Sequence, residues 1–353
     1  MRAMILAAGG AARLYPLTYT LPKPMVPVAN IPVIEHLIRL LKLHGITEIM
    51  VNLHYLHRFI TDYLDDGSRW GVHICYSYEP ELLGTAGGVL QARDFFHESF
   101  LVIGGDDLTD MDLGALAGYH REKKALATIA LYEAPQSEEY GVADIDGQGR
   151  ILWFREKPKG EPVTSRWSNT GVYVFEPEIF NQIAEGASRD FGSELFPRLA
   201  EQKEAFYGYP VTDAYWCDIG DHLRYRQAHW DLLEGRTRIL VPGDEVTPHV
   251  WIDAGAEVSP QAMVTPPVLI GRGARIGPDA RVEGPVVLGP GVVVEPRARI
   301  HASIVWDRTQ IQKECVVTDS LVGSSCVLES GHRYSKMVLA SGARFRSGRE
   351  SED

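Results

Sequence analysis

The sequence predicts two structural classes in series: a mixed, mostly parallel α/β sheet, then a parallel β-helix of hexapeptide repeats. Three observations carry that expectation. In the first part, short apolar runs alternate with patterns of helical period. In the second part a Val, Ile or Leu recurs every six residues from Val246 to Ile300. The change of period falls in the stretch from Glu234-Gly235 to Pro242-Gly243. The expected domains are therefore residues 1–237 and 244–346.

Taken in order, Arg2 to Ala7 reads as a buried strand. Val33, Ile34, Leu37, Ile38, Leu40 and Leu41 then recur at helical spacing, and Gly45 stops that helix. Glu48 to Leu53, Val72 to Tyr78 and Phe100 to Ile103 read as further strands, with helices at Leu56 to Leu64 and Thr85 to Ala92. Alternating strands and helices imply a largely parallel sheet covered on both faces. In such sheets a ligand lies beyond the carboxyl ends of the strands. Gly9-Gly10 and Asp106-Asp107 both follow predicted strands, so they should share one crevice.

The hexapeptide series runs through Val246, Ile252, Val258, Val264, Ile270, Ile276, Val282, Leu288, Val294 and Ile300. With 45% hydrophobic residues, ten hits by chance would arise on the order of a few times in ten thousand. A smaller residue stands two places before nine of them, from Val250 and Ala256 to Ala298. Three sixes make one coil, and Pro267-Val268-Leu269-Ile270-Gly271 returns as Pro285-Val286-Val287-Leu288-Gly289. The register slips near Trp306 and resumes at Ile311 and Val317. Ser347 to Asp353 reads as a frayed polar tail.

Composition excludes several classes. A net charge of -12 over 353 residues argues against a nucleic-acid binder. Basic groups near a glycine loop are correspondingly more informative. Cys75, Cys217, Cys315 and Cys326 form no CxxC pair, and small buried thiols in a reducing cytosol are expected. The opening residues lack a signal-peptide pattern, and no run reaches the ~20 apolar residues of a membrane span. A cytoplasmic location without membrane partners is expected.

Leu6-Ala7-Ala8-Gly9-Gly10-Ala11-Ala12-Arg13-Leu14 is a strand end, a small-residue loop and a cation. Small residues let the backbone approach a phosphate, and Arg13 can grip phosphate oxygens in a fork. A tight turn without ligand would look similar. The next segments, Pro16-Leu17-Thr18 and Pro22-Lys23-Pro24-Met25-Val26-Pro27, set Lys23 between rigid prolines. With them the sequence resembles the sugar-phosphate nucleotidyltransferase family, whose loop reads LAAGxGTRLxPLTxxxPKPMxPV. The resemblance covers most of residues 1–230. Within that family the chain is most similar to mannose-1-phosphate guanylyltransferases with a C-terminal left-handed β-helix. It implies a Rossmann-like sheet.

The resemblance assigns roles residue by residue. Arg13, Lys23, Asp106 and Asp218 would be catalytic, with Asp106 in Gly105-Asp106 and Asp218 in Trp216-Cys217-Asp218-Ile219-Gly220 holding Mg²⁺. Leu6, Ala8, Gly9, Gly10, Glu79, Gly84 and Thr85 would bind the nucleotide. Gly141, Glu156, Lys157 and Asn169 would bind the sugar phosphate, from Tyr140-Gly141-Val142, Glu156-Lys157-Pro158 and Asn169-Thr170-Gly171. Asp107 receives no role. Glu79 stands where thymine- or uracil-binding members commonly carry glutamine. A carboxylate can accept from both adjacent donors of guanine, which favours GTP, and Leu83-Gly84-Thr85-Ala86-Gly87 resembles the loop of mannose-1-phosphate guanylyltransferases, so GTP with mannose 1-phosphate is the reading taken.

The alternatives are glucose 1-phosphate with dTTP or UTP, heptose 1-phosphate with GTP, and a non-catalytic regulatory paralogue. The last arises because Ala11 and Ala12 replace the family's Gly and Thr before the arginine. A β-helix that also transfers acyl groups through His301 is a further alternative. The stacked coils are expected to mediate homo-oligomerisation.

Overall fold

Each predicted element of the first part recurs within a residue or two in the structure, a computed structural model describing residues 1–10, 12–133, 139–158, 165–184 and 189–344. In chain order come β1 (Arg2–Leu6), the hairpin β2 (Pro27–Val28) and β3 (Ile31–Pro32), α1 (Val33–Leu43), β4 (Glu48–Leu53), α2 (His57–Leu64), β5 (His73–Tyr78) and α3 (Gly84–Gln91). Then follow β6 (Phe100–Gly104), β7 (Asp107–Thr109), α4 (Leu113–Lys123), β8 (Ala127–Glu133), β9 (Gly141–Ile145), β10 (Ile151–Glu156) and β11 (Trp167–Phe175). The series closes with α5 (Phe196–Glu201), β12 (Phe206–Val211), β13 (Trp216–Asp218) and α6 (His222–Leu233). Ala11 and the tail from Ser347 to Asp353 lie outside the described residues. The chain divides into two compact units, Met1–Gly10 with Val33–Asp218 and Ala11–Pro32 with Ile219–Asp353.

The first unit is built on a mixed sheet of order β10-β9-β11-β6-β1-β4-β5, with β8 pairing both β11 and β12. Strands β6, β1, β4 and β5 run parallel. The apolar runs of β6, β1 and β4 are buried on both faces, as parallel strands require, while the edge strand β5 is only partly buried. α1 buries the six predicted apolar positions, and the N–H of Ile46 closes it on the carbonyl of Leu41 at 2.9 Å. In the other half β11 runs antiparallel to β6, β8 and β9, β10 forms a hairpin with β9, and β12 lies parallel to β8. Phe100, Phe175, Phe191, Phe196 and Phe206 fill the space beneath it and are fully buried.

The second unit holds the repeats. Val250, Val268 and Val286 stack in parallel register, as do Ile252, Ile270 and Leu288. The residues at the sixfold positions and two places before them fill its core: Ala274, Ile276, Ala280, Val282, Val292, Val294, Ala298 and Ile300 are buried. Val246, expected as first of the series, is instead 53% exposed on a strand, Asp244–Thr247, that runs antiparallel to Val250–Ile252, so the parallel coils begin at Val250. The slip sits just before Trp306. Glu283-Gly284-Pro285-Val286 becomes His301-Ala302-Ser303, so Glu283 pairs with His301 but Val286 with Ser303. Later coils keep the shorter spacing, with Val294 on Ile311 and Ile300 on Val317.

In the same unit, α6 is capped by Asp221, whose carboxylate accepts from the N–H groups of Leu223 and Arg224, both at 2.9 Å. The buried Tyr225 hydroxyl donates to the Pro27 carbonyl at 2.7 Å and accepts from the Trp306 indole at 2.8 Å. Asn30 donates to the Leu288 carbonyl at 3.0 Å. The β2–β3 hairpin, α6 and the coils are thus tied together.

Candidate active site

In the first unit, β1 and β6 end level with one another: Leu6 pairs with Gly104, and the Gly105 N–H donates to the Leu6 carbonyl at 2.8 Å. The chain leaves these ends as Ala8-Gly9-Gly10 and as Asp106-Asp107, so both expected loops open from adjacent parallel strands. Gly9 and Gly10 are exposed, and neither has a positive φ. A Cβ on either would meet no heavy atom within 4 Å. The fold itself places no demand on these two glycines, whereas a phosphate brought against the backbone would.

The segments that carry the two candidate metal aspartates pair through β7 and β13. These strands are antiparallel, with Asp218 opposite Asp107 and Cys217 opposite Leu108. Asp106 and Asp218 are therefore one residue out of direct register, and both are half-buried. Asp107 lies inward at 5% exposure. It accepts from the Trp216 indole at 3.2 Å, and that indole also donates to the Thr170 carbonyl at 2.8 Å. Gly104 and Gly171 leave room for this carboxylate, since a Cβ on either would strike it. Among the described residues no group of three or more His, Cys, Asp or Glu could hold a metal alone. Two carboxylates completed by phosphate oxygens need no third.

Glu79 and the start of α3 form the next wall. Glu79 is 1% exposed. One oxygen accepts from Asn52 Nδ2 at 2.7 Å and the other from the Leu83 N–H at 3.0 Å. Gly84 starts the helix with φ +75°, which a Cβ would strain. The Thr85 hydroxyl donates to Asp190 at 3.0 Å and accepts from the Phe191 N–H at 2.8 Å. Asp190 also accepts from the Gly192 N–H at 2.9 Å, capping a π-helical turn over Phe191–Leu195.

Around Glu156, Gly141 pairs directly across the β9–β10 hairpin. The Glu156 carboxylate lies over Gly141 and Gly192, where any Cβ would collide with it. Burial holds its pKa above the usual carboxylate range, against Lys157 beside it. Lys157 Nζ stands 3.6 Å from the carboxylate and is largely exposed. Asn169 donates to the Tyr173 hydroxyl at 3.0 Å and accepts from the Gly171 N–H at 3.0 Å. Arg13 and Lys23 belong to the second unit: Arg13 is exposed on the turn Ala12–Leu14, and Lys23 is buried on the turn Lys23–Met25.

The nucleotidyl transferase family pattern matches residues 2–235. The chain belongs to the nucleotidyl transferase family. Residues 264–348 match a second pattern, the GMPPB C-terminal domain. The chain is 42% identical over 266 residues to a UTP–glucose-1-phosphate uridylyltransferase of Synechocystis, covering 71% of this chain and 68% of that protein. It is 32% identical over 266 residues to a mannose-1-phosphate guanylyltransferase of Mycobacterium tuberculosis, covering 74% and 72%. A Bacillus anthracis structure assigned as a glucose-1-phosphate thymidylyltransferase superposes with a TM-score of 0.60 at 26% identity, covering 65% of this chain and 94% of that one.

For this nucleotidyl transferase the structure brings Gly9, Gly10, Asp106, Asp218, Glu79, Thr85, Gly141, Glu156 and Asn169 into the first unit. Sequence reasoning missed Asn52, Asp107, Asp190 and Gly192. Asp190-Phe191-Gly192 has a signal of its own, a capping aspartate followed by glycine. Asn52 has none, because its partners come from separate strand ends. His301, the alternative acyl-transfer residue, is exposed with its ring against the Glu283 carbonyl at 3.1 Å. Among the described residues no helix is long and apolar enough to cross a membrane, and no disulfide forms.

Proposed function

We propose that the chain condenses a hexose 1-phosphate with a nucleoside triphosphate, giving a nucleotide sugar and pyrophosphate. The observation that supports this reading is the register that sets Asp218 across from Asp107, one residue from Asp106, on a segment that leaves β6 beside the end of β1. A phosphate oxygen of the sugar attacks the α-phosphorus; the bond to the β,γ-pyrophosphate breaks, and pyrophosphate departs. The second pKa of a phosphate monoester is about 6, so the nucleophile is ionised at neutral pH and needs no general base. Positioning and charge neutralisation supply the catalysis. Asp106, in the turn before β7, and Asp218, at the end of β13, are two hard oxygen donors that would hold Mg²⁺, which neutralises phosphate charge when bound. Gly9 and Gly10 offer backbone to the triphosphate. Gly141, Glu156 and Asn169 orient sugar hydroxyls, and Lys157 faces the sugar phosphate. Arg13 and Lys23 keep the phosphate roles that the resemblance gives them.

The base and sugar we propose are uracil and glucose. The uridylyltransferase relative at 42% identity supports this. Glu79 is 1% exposed and already accepts one protein donor at each oxygen, which lends less support to its reading guanine. A second reading, GTP with mannose 1-phosphate, is favoured by the GMPPB C-terminal pattern and the guanylyltransferase relative. A panel of four triphosphates against glucose, mannose and heptose 1-phosphates decides between them. UTP with glucose 1-phosphate should exceed the other pairs by about tenfold or more in kcat/KM; preference for GTP with mannose 1-phosphate would install the second reading. Nucleotide binding without turnover across the panel would mark a regulatory paralogue. We also propose domains of residues 1–237 and 244–346, and homo-oligomerisation through the coils, which light scattering of the full chain tests.

A further inference from the structure

A chain of buried hydrogen bonds joins the exit of β1 to the entry of α3. The Ala7 N–H donates to Asn52 Oδ1 at 2.7 Å. Asn52 Nδ2 donates to Glu79 Oε1 at 2.7 Å, and Glu79 Oε2 accepts from the Leu83 N–H at 3.0 Å. Ala7, Asn52 and Glu79 are 4%, 3% and 1% exposed, so water cannot replace a lost partner. The pair is closed from below by α3, where a Cβ on Gly88 would lie 2.5 Å from Glu79 Oε1 and 2.9 Å from Asn52 Nδ2.

The polarity of this chain is fixed at both ends. Ala7 and Leu83 present backbone N–H groups, which can only donate. Asn52 must therefore turn its oxygen to Ala7 and its NH₂ to residue 79. Residue 79 then has to accept twice, once from an amide and once from Leu83. Aspartate and glutamate are the side chains that accept at both oxygens and donate at neither, and glutamate is the one present. Glutamine would turn its NH₂ either onto the Leu83 N–H or onto Asn52, placing donor against donor.

We propose that Asn52 and Glu79 are a positioning pair that locks the nucleotide-binding loop to the α3 entry, and that Glu79 acts through this bridge rather than by reading the base. The proposal rests on the reading of Gly9-Gly10 and Gly84-Thr85 as nucleotide-binding segments. It also states which exchange is tolerated. In N52D/E79Q, the carboxylate now at position 52 accepts from the Ala7 N–H and from the amide NH₂ now at position 79. The oxygen of that amide accepts from the Leu83 N–H. Every donor again meets an acceptor, with the carboxylate and amide exchanged.

The test compares wild type, E79Q, N52D and N52D/E79Q, measuring kcat and KM for UTP, GTP, dTTP and ATP. Melting temperature and hydrogen exchange at the Ala7 and Leu83 amides are followed in parallel. Each single variant should raise KM for every accepted triphosphate by about tenfold, leave their rank order unchanged and expose both amides to exchange. The double variant should return KM to within about threefold of wild type and restore protection. A change of base preference in E79Q would overturn the proposal by making Glu79 a reader of the base. A double variant no better than either single would refute the polarity argument. Melting that falls with KM unchanged would reduce the pair to a structural role. Because amide exchange needs no turnover, rescue of protection in a protein without transferase activity would uphold the bridge while sinking the functional reading.

Discussion

Replacing Tyr225 with Phe removes one buried hydroxyl and leaves two groups behind. The hydroxyl donates to the Pro27 carbonyl and accepts from the Trp306 indole, and Tyr225 is fully buried. Burial pushes the phenol far above its ordinary pKa, so the hydroxyl stays neutral and keeps its proton for Pro27. A buried polar group left without its partner costs about 1–3 kcal/mol. The indole N–H bears that cost in full, while the carbonyl keeps a second lone pair, so the sum is about 2–4 kcal/mol. For a unit of this size each kcal/mol lowers Tm by about 2–4 °C, giving a fall on the order of 8 °C for Y225F. Scanning calorimetry measures it. L223A, on the exposed face of the same helix, should stay within about 0.5 kcal/mol of wild type. Because W306F removes the donor that Y225F strands, the double variant should lose less than the two singles added. A Y225F melt within about 1 °C of wild type, or strict additivity, would refute the argument that this hydroxyl ties α6 to Pro27 and the coils.

Other perturbations reach the proposed site directly. D106N and D218N should each lower turnover by about a hundredfold or more while leaving the melting temperature near wild type; near-normal pyrophosphate release would remove that aspartate from the chemistry. G10A should weaken triphosphate binding without lowering stability, since the added Cβ meets no protein atom within 4 Å and Ala loses less backbone entropy than Gly. Unchanged binding in G10A would dissociate the loop from the phosphates. Glu156 has its folded pKa raised by burial, so the folded state binds this proton more tightly than the unfolded state. Its contribution to stability is fully present below the ordinary carboxylate pKa and is lost as pH rises through the raised folded value. E156Q should flatten that slope in pH-dependent melting, and the fall in sugar-phosphate KM expected as Glu156 ionises should vanish with it. A wild-type melting curve without that slope would contradict the burial argument.

The parallel half of the first unit was legible because its strands carry continuous apolar runs and its helices a clear 3.6 period, as in Ile5 and Val51 on adjacent strands. The antiparallel half was not, because β10 mixes buried with exposed positions, β9 is short, and both gain their meaning only from pairing, as Glu156 does with Gly141. The β-helix could be read almost coil by coil, since a sixfold period has few competing explanations. Its 17-residue spacing after Leu288 follows from one residue lost between His301 and Ser303, visible in the chain alone only as a slip near Trp306. The site showed the same division. Gly9, Gly10, Asp106 and Asp218 stand at strand ends that a pattern can mark. The bridge from Asn52 to Glu79 joins residues 27 positions apart, and nothing local in either segment announces it. Asp107, which the sequence leaves without a role, acquires one where β13 brings the Trp216 indole against it.

The central claim is tested most directly by incubating the purified full chain with Mg²⁺, UTP and glucose 1-phosphate and following both products by ³¹P NMR. The account predicts pyrophosphate and a nucleotide sugar in equal amounts, formed only when both substrates are present and abolished in D106N. Pyrophosphate released from the triphosphate alone, or no diphosphate-linked sugar with any triphosphate and sugar phosphate of the panel, would contradict it.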